Sequence, residues 1–454
     1  MSRDYHAMTA LALGRGIAGG DIDPLTLTEH FLDRIAERDP GHSIFVSLTR
    51  ERALAEAMAA RHRAAAGLLR SPLDGVPIGW KDLFDTAGHP TEGASALFRG
   101  RVPDRDAEPL ARAATAGMVC LGKTNLPDLA YSGLGVNPWS GTPANAHSPK
   151  DDPRVPGGSS AGAGVSVAAG LAAAGIGSDT GGSVRIPAAF NGIVGLKSTW
   201  GAVSLEGSIP LAPSLDTVGP LTKDVADANA IHAILSGRPA ADLEGASAQG
   251  LRLLWARGHD DNEIQSGVAA AVEAAVERLC AAGAEVIERR LDSFEAHDEV
   301  VLQHGNPISL EGWAIWGDTI DANPDKLYRP IRERIAAGRS ARASDAIILR
   351  HRFGELQRAW MRETAGFDAV LQATTPAIAP SIAAVMESEE EHARQALLSS
   401  FNTRRINFLG LCAISLPCGF SEGLPVGLMA TAGPNLEGRL LRAARGIERA
   451  ISIA

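Results

Sequence analysis

Two short segments of this 454-residue chain hold the residue types that acyl transfer needs. Residues 75–82 (GVPIGWKD) contain Lys81, and residues 157–197 contain Ser159, Ser160 and Ser183. An amide is a poor electrophile, so opening it near neutral pH takes an activated nucleophile and N–H donors aimed at the developing oxyanion. The stretch SDTGGS (178–183) has parts for both. Gly181 and Gly182 open backbone conformations closed to other residues, so the N–H groups of Thr180, Gly181, Gly182 and Ser183 can converge beside the Ser183 hydroxyl. A lysine works as a base only when neutral. Val76, Pro77, Ile78 and Trp80 give Lys81 an apolar approach that would lower its pKa from the usual value of about 10.4. Each piece alone has a plainer reading: SDTGGS as a tight turn, a serine of GGSS as a helix N-cap, and Lys81 as a solvated lysine at a strand edge.

Asp179 and Arg185 flank the glycine turn, and they read better as a buried pair bracing it than as chemical participants. Ser160 belongs with them as structural support. Two spellings are decoys. GMVCLGKT (117–124) fits a phosphate-loop pattern, but that loop needs a strand before it and a helix after it, whereas 118–121 itself reads as the strand. GSSAG (158–162) fits a nucleophile elbow on Ser160, yet the preceding 148–156 is polar and broken by proline.

The segment 157–197 resembles the glycine- and serine-rich signature of the amidase signature family. Residues 73–82, 121–127 (LGKTNLP), 137–145 and 407–432 look like further segments of that family, in family order. The likeness covers nearly the whole chain and is least distinctive over 292–386. Ala161 departs from it, standing where many members have glycine. The resemblance implies a triad in which Ser183 is the nucleophile, Ser159 sits on a cis peptide bond and relays a proton, and Lys81 is the base. It implies hydrolysis of a linear amide to acid plus ammonia or amine through an acyl-serine intermediate. It also implies an acyl pocket lined near Ala130 and Tyr131, with Ala130 as a substrate contact. The expected fold is α/β, a single large domain over 1–454 with a mixed central β-sheet covered by helices on both faces. The same triad serves the glutaminase (A-type) subunit of a tRNA-dependent amidotransferase, which stands as the alternative. A catalytically silent binding protein is a third reading, against which all three triad positions are filled.

The elements that must position these residues can be sketched from pattern. Asp23 and Pro24 make an N-cap and first-turn proline for a helix ending near Asp39, and a second helix spans 50–66. Residues 76–80 read as a strand ending at Lys81, at the kind of strand end where sites gather in α/β sheets. Residues 161–171 have no polar face and read as a buried helix. Strand 251–255, helix 264–282 and strand 285–287 form a unit that implies parallel pairing. Residues 236–250 are a linker candidate, and 292–386 are expected as helical additions, where Trp313, Trp316 and Tyr328 could add aromatic surface to a pocket.

Composition narrows the partners. Hydrophobic residues make up 45% and charged residues 21%, which is ordinary for a globular chain. The net charge of −10 comes with no basic tract, which argues against nucleic acid or an anionic membrane and leaves a small-molecule amide as the expected partner. A homo-oligomer is left open. The four cysteines are scattered, with no CxxC pair, and the N-terminus has no signal-peptide pattern, so a cytoplasmic setting is expected. The twelve histidines form no metal-binding spacing, and neither a metal nor a cofactor is implied.

Overall fold

The computed structural model describes residues 4–258 and 263–452. Eleven strands form one mixed sheet: β1 (Phe45–Leu48), β2 (Pro77–Lys81), β3 (Val119–Thr124), β4 (Ala174–Ser178), β5 (Val194–Lys197), β6 (Val218–Thr222), β7 (Arg252–Ala256), β8 (Glu285–Arg289), β9 (Ala369–Ala373), β10 (Cys412–Ser421) and β11 (Leu424–Ala432). Their order across the sheet is β1-β3-β2-β4-β6-β5-β10-β11-β9-β7-β8. Pairing is parallel among β3, β2 and β4 towards one end and among β9, β7 and β8 at the other, with antiparallel pairs between them and β1 antiparallel to β3 at the first edge. Helices pack against the sheet, as the single α/β domain expected from the resemblance requires. Among the described residues no helix is long and apolar enough to cross a membrane.

The local chemistry explains the elements that matter most. Helix Pro24–Arg38 starts where Asp23 accepts from the Thr26 N–H, and its Leu27, Phe31 and Ile35 are fully buried. Every residue of β2 is buried, with Trp80 edge-on to Phe84. β4 (AGIGS) alternates small residues so that helix Ala161–Ala168 can lie directly on it. A Cβ on Gly177 would stand 2.4 Å from Ser160 Oγ. That approach brings the GGSS segment down onto the sheet beside β2.

Several expectations are met within a residue or two, including the parallel β7–β8 unit around helix Ser266–Ala281. The helix expected over 161–171 stops at Ala168, because Gly170 turns into the left-handed region at φ +66. Residues 236–250 connect helix Val225–Ser236 to β7 within the same sheet. The region 292–386 holds four longer helices, but it also supplies β9, which lies inside the sheet between β11 and β7. β9 (AVLQA) is a five-residue run buried throughout, and a run so short carries no periodicity to separate strand from helix.

Candidate active site

Lys81 ends β2 and Ser178 ends the neighbouring parallel strand β4, with Trp80 paired to Ile176 in register. The Lys81 side-chain nitrogen Nζ is fully buried and donates to Ser159 Oγ at 2.7 Å and to Ser178 Oγ at 2.8 Å. The Gly158–Ser159 peptide bond is cis. Burial pulls the Lys81 amine from its usual 10.5 down to about 7, outweighing the opposing attraction of the Asp216 and Asp179 carboxylates. Lys81 is therefore a buried amine close to neutrality whose partners are hydroxyls.

Ser183 lies across from this pair. Its carbonyl accepts from the Ser160 N–H at 3.1 Å, which fixes the SDTGGS turn against the start of helix Ala161–Ala168. Lys81 and Ser159 are thus in direct contact, and Ser183 is tied to the residue next to Ser159. Among the described residues no hydrogen bond joins the Ser159 and Ser183 hydroxyls.

The turn is built around Asp179. Its carboxylate accepts from the N–H groups of Gly182 (2.8 Å) and Val184 (3.1 Å) and forms a buried ion pair with Arg185 at 3.0 Å. Burial pushes this carboxyl upward, but the Arg185 guanidinium beside it outweighs burial and holds it well below the usual carboxylate range. Asn407 joins the two, donating to Asp179 Oδ1 at 2.8 Å and accepting from Arg185 at 2.6 Å. A Cβ on Gly182, at φ +129, would stand 2.1 Å from Thr403 Oγ1, so only glycine fits there.

Gly182 departs from the sequence expectation. Its N–H, expected to aim at the oxyanion with its neighbours, is taken instead by Asp179, the acid that shapes the turn. The N–H groups of Thr180, Gly181 and Ser183 are not used in this way among the described residues. Thr180 is itself anchored, its hydroxyl donating to buried Asp216 at 2.6 Å.

Ser183, Thr180, Gly181 and Ala130 line one cavity, so the residues expected as nucleophile, oxyanion donors and acyl contact share a space. Ala130 projects there from a strained corner, at φ +59 after Leu129 at φ +50. A second cavity opens on the other side of Ala130, Thr180 and Leu211 and reaches Ser178 and Asp216. Trp313, Trp316 and Tyr328 line neither cavity. Trp316 packs edge-on to Phe98, and Arg339 lies over the Trp313 ring.

The decoys sit where structural residues sit. Lys123 lies inside β3, buried, donating to the Phe84 carbonyl and to Thr91 Oγ1 and facing Asp82 at 3.4 Å. Ser160 caps the buried helix, and its hydroxyl points at the Ser178 carbonyl, 3.2 Å away. His297 is stacked on Phe353 and tilted against Phe408, in a cluster where the two Phe rings also touch each other.

Sequence reasoning missed Ser178, Asp216 and Asn407. Ser178 is the first residue of SDTGGS, but its contact with Lys81 depends on the register of β2 on β4. Asp216 and Asn407 are distant in sequence and carry no local signal of their own.

Comparison with known proteins identifies the family of this chain. The Amidase family model matches residues 26–441. The A-type subunit of glutamyl-tRNA(Gln) amidotransferase from Anaeromyxobacter dehalogenans (strain 2CP-C) is 34% identical, over 96% of this chain and 94% of its own. The 2-amino-5-chloromuconic acid deaminase of Comamonas testosteroni is 37% identical, over 84% and 82%. A crystal structure of an amidase superposes with a TM-score of 0.88 at 32% identity, covering 98% of this chain and all of that one. With a family model spanning most of its length and an amidase fold around the lysine–serine cluster, this chain belongs to the amidase family and is a hydrolase of amide C–N bonds.

Proposed function

We propose that the protein hydrolyses a linear carboxylic amide through an acyl-serine intermediate, with Ser183 as nucleophile, Ser159 as proton relay and Lys81 as base. Near neutral pH a large share of Lys81 is uncharged, because its buried amine titrates at about 7. It takes the Ser159 proton while Ser159 takes that of Ser183, whose oxygen bonds to the carbonyl carbon. The carbonyl oxygen becomes an oxyanion facing the N–H groups of Thr180, Gly181 and Ser183. Collapse breaks the C–N bond, and the proton held on Lys81 returns through Ser159 to the departing nitrogen. Water then repeats the sequence on the ester, giving the acid and free Ser183.

The observation that carries this reading is the 2.7 Å hydrogen bond between a fully buried, nearly neutral lysine and a serine adjoining the nucleophile turn. A solvated structural lysine would have neither feature. All four cysteines are free, which fits the reducing cytoplasmic setting expected from sequence. The test is ammonia release from a panel of aliphatic, aromatic, dicarboxylic and amino-acid amides. Activity present in the wild type and lost in Ser183→Ala and Lys81→Ala is expected; activity retained by Ser183→Ala would exclude the mechanism.

A second reading is favoured by the names of the relatives. Several similar proteins bear the name of the A-type subunit of glutamyl-tRNA(Gln) amidotransferase, among them the 34% identical protein that matches this chain nearly end to end. On that reading the same residues release ammonia from an amide donor within a complex. The two readings separate on addition of partner subunits: ammonia release confined to glutamine and strongly stimulated by them would favour the second.

A further inference from the structure

Asp216 is a buried acid that the proton relay does not use, and it reaches three parts of the site. Its Oδ1 accepts from the Thr180 hydroxyl at 2.6 Å, and its Oδ2 accepts from the N–H groups of Leu211 and Ala212 at 3.0 and 3.1 Å. Thr180 and Leu211 line both cavities, so one carboxylate ties their shared wall to a residue whose N–H faces the oxyanion. The third part is the lysine. Asp216 lies two residues before Val218, which pairs with Ser178 across β6 and β4, and Ser178 Oγ stands 2.8 Å from Lys81 Nζ. Asp216 and Ser178 line the same cavity.

A carboxylate buried on three donors without a cation beside it is costly to keep. None of the ion pairs among the described residues includes Asp216. Burial, with Glu311 pushing in the same direction, holds its carboxyl above the usual range against those three hydrogen bonds. The charged groups facing Lys81 are Asp216 and Asp179. Asp179 is matched by Arg185, and on the neighbouring strand Lys123 is matched by Asp82, so Asp216 is the acid whose charge is left to act on the Lys81 amine. The shape of the loop does not call for that charge: a side-chain amide could accept from the two N–H groups and donate to the Thr180 oxygen.

Building on the amide-hydrolase reading, we propose that Asp216 is a positioning residue of the reaction, holding Thr180 against the shared cavity wall and setting, through its charge, how readily Lys81 takes up the relayed proton. Each acylation moves a proton from Ser183 through Ser159 to Lys81, which turns a neutral amine into a buried cation. A carboxylate facing that cation favours the change, and a neutral residue in its place leaves Lys81 a weaker base. Asp216 itself exchanges no proton with the substrate.

The experiment titrates the amine directly. Lysine enriched in carbon-13 at Cε is incorporated into Ser183→Ala protein, and the NMR resonance that vanishes when Lys81→Ala is added reports Lys81. Its midpoint is expected to fall by about one pH unit when Asp216→Asn is added, whereas Asp216→Glu, which keeps the charge, should hold it near 7. In the active background, Asp216→Asn should move the acidic limb of kcat/KM down by the same amount and lower plateau kcat by about 3- to 10-fold with little change in KM. If Asp216→Asn does not fold, the Asp216→Leu/Thr180→Val double variant, which removes the acid together with its hydroxyl donor, carries the same readout. A Lys81 midpoint that stays in place or rises in the neutral variants would overturn the inference and leave the relay standing. A midpoint near the usual 10.5 in the Ser183→Ala protein would take the base out of the amide-hydrolase reading, and the inference would fall with it.

Discussion

Lys81, Lys123 and Lys197 are all buried lysines of this sheet, and their partners set them apart. Lys197 donates to the carbonyls of Ser198 and Leu411, which cannot pass a proton on, and Lys123 faces the Asp82 carboxylate. Lys81 alone of the three touches hydroxyls only. Since burial lowers its pKa to about 7, the neutral base is present above that pH and lost below it. The kcat/KM profile should therefore rise with pH through a limb near 7, as initial rates across buffers would reveal. Ser159→Ala removes the relay and should cut kcat by about a thousandfold or more, well beyond the usual worth of one hydrogen bond. Ser178→Ala removes only a second partner of the amine, so kcat should drop by about 3- to 10-fold. Equal losses in the two variants would show that neither serine has a privileged place in the proton path.

At the level of elements, the nucleophile turn depends on a buried ion pair that is also its hydrogen-bonding template. Arg185→Ala strands the Asp179 charge and should destabilise the fold by about 3 to 5 kcal/mol, measured by denaturant unfolding. Gly182→Ala forces a Cβ against Thr403 and should lower both stability and kcat, whereas Thr403→Ser keeps the hydroxyl that holds Gly181. Much of this was legible in the chain. The separation of Ser159 and Ser183, the glycines between them and the flanking Asp179 and Arg185 are local features, and local features survive in sequence. The exceptions have a common cause. The reach of Lys81 to Ser178 and the seating of Thr403 against Gly181 depend on strand register and on the docking of a helix far along the chain. The same holds for β9, whose five buried residues gain their identity from the strands on either side.

For the whole molecule, the sheet brings together a lysine from β2, serines from the segment on β4 and a helix that precedes β10. Removal of Lys123, deep in β3, should lower the midpoint of thermal unfolding without shifting the pH limb assigned to Lys81. The free-standing and subunit readings differ only in what surrounds this assembly, and both need the same proton path. That path is tested most directly by the rate at which Ser183 becomes acylated, followed by rapid-quench mass spectrometry with an activated amide across about pH 5 to 9. The account predicts an adduct on the Ser183 peptide whose formation rate rises through an apparent pKa near 7. In Lys81→Ala it should be slowed by about a thousandfold, with that limb gone. An adduct on Ser160, or acylation of Ser183 at an undiminished rate in Lys81→Ala, would contradict it.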